Sequence, residues 1–203
     1  MKERSAGVRK RLLDAAERLF NDRGIHGIGI EAIAAEAGAA KMSLYHEFGS
    51  KLNLLLAVLD RLDERWVRQI RACGHGPNTD GEQAVLVLFD RLEEWFREPE
   101  FQGCMFIKAA GDFGNADHAV RRAALKHQER IQALIEEICV TAGYGDPVLA
   151  RQIHLLIQGA IVTAMIEGTP AAANQAKEAA RSLLHGCRGY AGETGTCKKL
   201  AMN

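Results

Sequence analysis

The chain has 203 residues, enough for one medium domain or for a small N-terminal module joined to a larger one with its own core. Lys+Arg and Asp+Glu are equal at 26 each, so a net charge of zero excludes a uniformly basic, nucleic-acid-coating protein, and charge has to be read locally. Five cysteines, at 73, 104, 139, 187 and 197, form no close pairs, and the opening residues have no apolar leader. This predicts reduced thiols, a cytoplasmic location and no membrane span.

In chain order, Lys2, Arg4, Arg9, Lys10 and Arg11 face only Glu3 before position 12, a basic run that suits either phosphate contacts or a solvated helix end. Val8, Leu12, Ala15, Ala16, Leu19 and Phe20 recur every three or four residues, the stripe of an amphipathic helix that Gly24 ends. A short helix with Ile30, Ile33, Ala34 and Ala37 on one side runs to Gly38, where a left-handed turn is cheap only for glycine. Lys41 to Phe48 makes two turns, with Leu44 and Phe48 inward and Lys41, Met42, Ser43, Tyr45, His46 and Glu47 left to the surface. Helix, glycine turn and short helix displaying polar side chains fit the major groove, where such a helix reads base edges.

Ser50 is placed to cap a long helix carrying Leu52, Leu55, Leu56, Leu59, Leu62, Trp66 and Ile70. A loop from Cys73 to Gly81 follows. Further helices are expected near 82–96, 104–112, 118–142, 147–167 and 171–187, with Pro147 in a first turn after Gly143-Tyr144-Gly145-Asp146 and a loose tail from 188 to 203. No strand pattern or internal repeat is present, so the fold class is all-α. Gly159, Ala160 and Ala164 lie beside Ile153, Leu156, Ile157 and Ile161, a small-residue pattern that lets another helix approach, in a partner subunit or in the same one.

The block AEAGAAKMSLYHEFGSK resembles the signature of the TetR family of transcriptional regulators. The resemblance implies a three-helix helix-turn-helix DNA-binding domain over residues 1–50 and a helical ligand-binding and dimerisation domain over 51–187. It implies that Ser43, Tyr45 and His46 contact double-stranded operator DNA, that Lys41 and Lys51 hold phosphates and that Met42 lies near base edges. Two positions depart from the family pattern: Gly29 and Glu31 stand where a hydroxyl and a basic residue are common. Glu47 either accepts from a cytosine N4 or is a solvated acid, and the second reading is favoured.

FQGCMFIKAAGDFG is similar to a segment of one large group of these regulators. Its Cys104, Met105, Phe106, Ile107 and Phe113, with Trp66, Trp95 and Phe96 as walls, could line an apolar effector cavity, against the plainer reading that each is core. By the same resemblance, Ile153, Leu156, Ile157, Gly159, Ala160, Ile161 and Ala164 form a homodimer interface. The expected function is a repressor released by a small, mostly apolar ligand. The other readings are a helical ligand-binding enzyme, a redox regulator using Cys104, and a protein-interaction module. No metal set, phosphate loop or nucleophile–base arrangement stands out, so neither cofactor nor catalysis is expected.

Overall fold

A computed structural model describes residues 2–73, 81–113 and 118–190. Those residues form helices and no strand: α1 (Lys2–Arg23), α2 (Ile30–Glu36), α3 (Lys41–Phe48), α4 (Lys51–Cys73), α5 (Gly81–Phe96), α6 (Met105–Asp112), α7 (Ala119–Thr141), α8 (Pro147–Glu167) and α9 (Ala171–Tyr190). The expected elements recur with shifts of one to three residues. α9 runs on to Tyr190, three residues into the segment expected to be loose, and the remainder of that segment lies outside the described residues.

Contacts gather the chain into two units, Met1–Trp66 with Cys104–Gln128, and Val67–Gly103 with Glu129–Asn203. In the first, α1, α2 and α3 close around Leu12, Ala16, Phe20, Ile33 and Leu44, all fully buried. The leucines, Phe20 and Ile33 stabilise by roughly 1.5–3 kcal/mol each when taken from water, enough to hold two helices of seven and eight residues that would not persist alone. The buried side of α4 is Leu54, Leu55, Val58, Leu59 and Val67. That face is rotated from the expected stripe, of which Leu52 is exposed and Leu56, Leu62, Trp66 and Ile70 are half-buried. Leucines occupy 52, 54, 55 and 56 in succession, so periodicity alone does not select the inner side.

One interruption in the α4 core stripe is polar. Asp63 and His127 are 6% and 5% exposed, and Nδ1 of His127 meets Oδ1 of Asp63 at 2.7 Å. The imidazole lies flat on the Phe106 ring, with centroids 3.7 Å apart and planes within 7°. A buried carboxylate needs such a partner, because an unsatisfied polar group in a dry core costs about 1–3 kcal/mol. On the opposite side of α4, Arg61 donates to Asp14 at 2.6 Å and to Glu17 at 2.5 Å, and Arg65 also pairs with Glu17. Residues 61 and 65 share a helix face and 63 faces away, so this stretch of α4 holds α1 on one side and α7 on the other.

In the second unit α8 and α9 pack on each other and α5 packs on both. Ala172, Ala173, Ala176 and Ala180 line the inner side of α9 and leave room for close helix approach. Lys177 reaches Asp90 at 2.5 Å, and His185 reaches Glu82 at 3.0 Å. α8 opens as expected: Asp146 caps it by accepting from the Val148 N–H at 2.8 Å, with Pro147 in the first turn. Gly103 has φ +86°, a backbone that favours glycine, and a Cβ there would lie 2.5 Å from Sδ of Met165, whose side chain would have to move.

Candidate nucleic-acid interface

The turn between α2 and α3 depends on Gly38, whose φ of +56° lies in the left-handed region. Its N–H donates to the Ala35 carbonyl at 3.1 Å, and the Ala39 N–H donates to that of Ala34 at 2.9 Å, so the carbonyls ending α2 are satisfied while the chain reverses. Leu44 and Phe48 then anchor α3 in the core. Lys41, Met42, Tyr45 and His46 point outward, Met42 being 72% exposed despite its apolar side chain. An exposed methionine, a phenol and an imidazole on one short helix offer apolar contact, a hydroxyl donor and a ring donor or acceptor to a groove.

Two expected surface residues are less open than the sequence suggests. Ser43 is half-buried. The Glu47 side chain is only 13% exposed, so it is not a solvated acid: it lies on the inner edge of α3, within 3.6 Å of Nδ1 of His46. Both lysines are already engaged. Lys41 donates to Glu31 at 2.5 Å, a pairing that raises the lysine pKa and lowers that of the glutamate through their hydrogen bond. Lys51 donates to the Ile25 carbonyl at 2.7 Å, and burial lowers its pKa. An ammonium has three donors, so one bond to Glu31 or to Ile25 leaves two for a phosphate. Glu31, at a position where the family more often has a base, thus orients Lys41.

The ends of the helices are held by two arginines of the basic N-terminal run, which the sequence offered only as phosphate contacts or a solvated end, by the expected cap Ser50, and by Asn53, which the sequence did not mark. Arg9 Nη1 donates to the Glu47 carbonyl at 3.1 Å, and Arg11 Nε donates to the Ala37 carbonyl at 3.0 Å. Asn53 Nδ2 donates to the Phe48 carbonyl at 2.9 Å, and Ser50 Oγ accepts from the Asn53 N–H at 3.0 Å, the cap expected of Ser50. These are carbonyls of helix C-terminal turns, which have no partner within their own helix.

The residues expected to line an effector cavity fall in both units. Trp66, Cys104, Met105, Phe106, Ile107 and Phe113 belong to the first unit, and Trp95 and Phe96 to the second, where Trp95 meets Phe101 edge-on at 4.9 Å. In the first unit Phe106 stacks on His127, and Phe113 stacks on His118 with centroids 4.5 Å apart. Cys104, Met105 and Phe106 are buried, while Trp66, Ile107 and Phe113 are half-buried. Burial pushes the Cys104 thiol pKa up, which opposes the thiolate that redox sensing requires and removes the basis for reading Cys104 as a sensor. Asp63 and His127 were missed, although polar residues on otherwise apolar helical stripes were a visible signal.

The expected dimer residues are mostly turned inward. Ile153, Ile157, Ala160, Ile161 and Ala164 are buried within the second unit, Leu156 is half-buried, and Gly159 is exposed with open space where a Cβ would stand. The open side of α8 instead carries Val148, Leu155 and Ile166, the last two 71% and 74% exposed. With Gln152, Gly159 and Val162 they follow alternating steps of four and three, the spacing of a helix seam. α8 is long and apolar enough to cross a membrane by length and composition alone, because it is apolar on two sides.

The family model for bacterial regulatory proteins of the TetR family matches residues 12–58, and that for the tetracycline repressor-like C-terminal domain matches residues 81–180. A TetR-family transcriptional regulator from Streptomyces coelicolor superposes with a TM-score of 0.82 at 30% identity, over 90% of this chain and 96% of that one. The HTH-type transcriptional activator FasR of Mycolicibacterium smegmatis is 43% identical over 89 residues, covering 42% of this chain and 40% of that protein. The multidrug binding protein EbrR, solved in complex with malachite green, shares the fold at 23% identity with a TM-score of 0.67, over 86% of this chain and 96% of that one. With both family models matched and a relative of 30% identity superposing over nearly its whole length, the chain belongs to the TetR family of DNA-binding transcriptional regulators.

Proposed function

We propose that the protein is a cytoplasmic, homodimeric repressor that binds double-stranded operator DNA through residues 1–50 and leaves it when a small, mostly apolar effector binds within residues 51–187, without catalysis or cofactor. The observation that carries this reading is the outward face of α3, where Lys41, Met42, Tyr45 and His46 stand beyond a core fixed by Leu44 and Phe48. Tyr45 and His46 supply base-edge or phosphate hydrogen bonds, Met42 an apolar contact, and Ser43 a shorter hydroxyl. Lys41 and Lys51 hold phosphates with the donors that Glu31 and Ile25 leave free. Glu47 acts from behind, shaping the helix rather than reading a base.

Dimerisation is through the open side of α8, and the two-fold dimer binds a near-palindrome whose half-sites lie about 34–36 Å apart or a multiple of that. Leu156 and Gly159 remain part of that interface, joined by Val148, Leu155 and Ile166, while the buried members of the expected set support the helix from within. The effector reading rests on the aromatic content around Phe106, Phe113 and Trp66, and gains support from a neighbour of the same fold that holds an aromatic dye. α4 gives a route for release: Asp63 ties it to α7 and Arg61 and Arg65 tie it to α1, so a ligand that moves α6 or α7 pulls on the helix that carries Lys51.

Duplexes enriched by the protein from a random-sequence pool, placed upstream of a reporter promoter, test this function. Repression by the parent, relieved by an apolar compound that also raises its melting temperature, is the expected result. Stimulation of the reporter would instead make the chain an activator, like its relative the transcriptional activator FasR. Enrichment of no duplex would contradict DNA binding itself.

A further inference from the structure

The basic N-terminus contains two arginines whose side chains are directed at the protein. Arg9 Nη1 donates to the Glu47 carbonyl at 3.1 Å, while its guanidinium carbon lies 4.4 Å from the centre of the Phe48 ring. Phe48 is the last residue of α3 and is buried against the core, so Arg9 both stacks on the anchor of the helix and closes one of its terminal carbonyls. The other exposed ends of α3 are closed separately, Tyr45 O by the Gly49 N–H at 2.8 Å and Phe48 O by Asn53. Arg11 does for α2 what Arg9 does for α3, donating to the Ala37 carbonyl at the entrance to the turn.

We propose that Arg9 is a positioning residue for sequence discrimination: it fixes the roll and the last turn of α3 from α1, so that Tyr45 and His46 meet their bases, and it does not act by neutralising a phosphate. This rests on α3 being the recognition helix. α3 has only eight residues, and its single hydrophobic anchor near the C-terminal end is the Phe48 ring, so a planar cation laid on that ring resists rotation of the helix about its axis. The geometry requires a fork. A lysine keeps the charge but has a single ammonium, which cannot sit over Phe48 and reach the Glu47 carbonyl with separate atoms as the guanidinium does.

The two roles differ in what salt does. A phosphate contact contributes about 0.9 to the slope of log K against log salt and helps every sequence alike. A positioning contact leaves the slope unchanged and helps only the sequence that the helix reads. The test uses full-length parent, Arg9→Gln and Arg9→Lys, titrated at several salt concentrations against a duplex selected by the parent from a random pool and against a shuffled duplex of equal length. We expect Arg9→Gln to lose about three- to tenfold on the selected duplex and less than about twofold on the shuffled one, a part of what one cation–π contact and one charge-assisted hydrogen bond are together worth, because α3 keeps its other anchors. Its salt slope should stay that of the parent, and Arg9→Lys should fail on the selected duplex as well. A fall in slope of about one unit per contact, with equal losses on both duplexes and full rescue by lysine, would overturn the proposal and make Arg9 a phosphate ligand. Unchanged binding by Arg9→Gln would also overturn it. A parent that selects no duplex would remove the recognition helix and the proposal together, so the two failures are told apart.

Discussion

Leu155→Asp should dissociate the proposed dimer without unfolding the subunit. Leu155 is 71% exposed in the isolated chain, so its loss removes almost nothing from the subunit core. Burying a leucine contributes roughly 1.5–3 kcal/mol, and seven-tenths of that is about 1–2 kcal/mol per side chain. A two-fold interface contains the position twice, giving about 2–4 kcal/mol, or roughly 30- to 1,000-fold in the dimer dissociation constant, before any cost of a desolvated carboxylate. Sedimentation equilibrium across a wide concentration range reads this directly, with circular-dichroism melting as the control. Ile157→Ala is the counter-experiment. Ile157 is 8% exposed within the subunit, so its truncation should cost about 2–5 kcal/mol of folding stability while dimerisation follows only from what remains folded. A Leu155→Asp protein that dimerises like the parent would refute the assignment of the open α8 face.

Lys51→Ala should weaken selected and shuffled DNA alike and lower the salt slope by about one unit per subunit contact, the opposite signature to Arg9→Gln. Asp63→Leu and His127→Leu should each destabilise the chain by about 1–3 kcal/mol in urea titrations, because each leaves a buried partner unsatisfied, and the double variant should cost less than the two together. Full additivity would contradict the pairing. Alkylation of the native protein at pH 8 should spare Cys104 and Cys139, whose thiols burial holds high, that of Cys139 at about 11, until the chain is unfolded. Rapid native labelling of Cys104 would reopen the redox reading.

The helices were legible because each has a stripe with clear ends: Gly24, Gly38 and Gly49 close helices or turns, Ser50 and Asp146 cap, and Pro147 opens a first turn. α3 was legible for the same reason, since Leu44 and Phe48 four residues apart leave one face to solvent. α8 was not. It is apolar on two faces, and a small-residue pattern at 159, 160 and 164 marks close approach without saying whether the partner helix belongs to the same subunit; here α9 takes most of it. Charge was misread where its target is distant in sequence. Arg9 and Arg11 lie 38 and 26 residues from the carbonyls they satisfy, and Glu47 looked solvated because nothing within its own helix shows what covers it. Asp63 and His127 lie 64 residues apart, so each shows only as a polar interruption of an apolar stripe.

The outward face of α3 is proposed to read DNA sequence. The most direct test is the affinity of the Tyr45→Ala protein for a duplex selected by the parent, measured beside a shuffled duplex at one fixed salt concentration. A loss of about tenfold or more is expected on the selected duplex, the worth of a hydrogen bond and contact area at one residue, with little change on the shuffled one. Equal binding of parent and variant to both duplexes would contradict it.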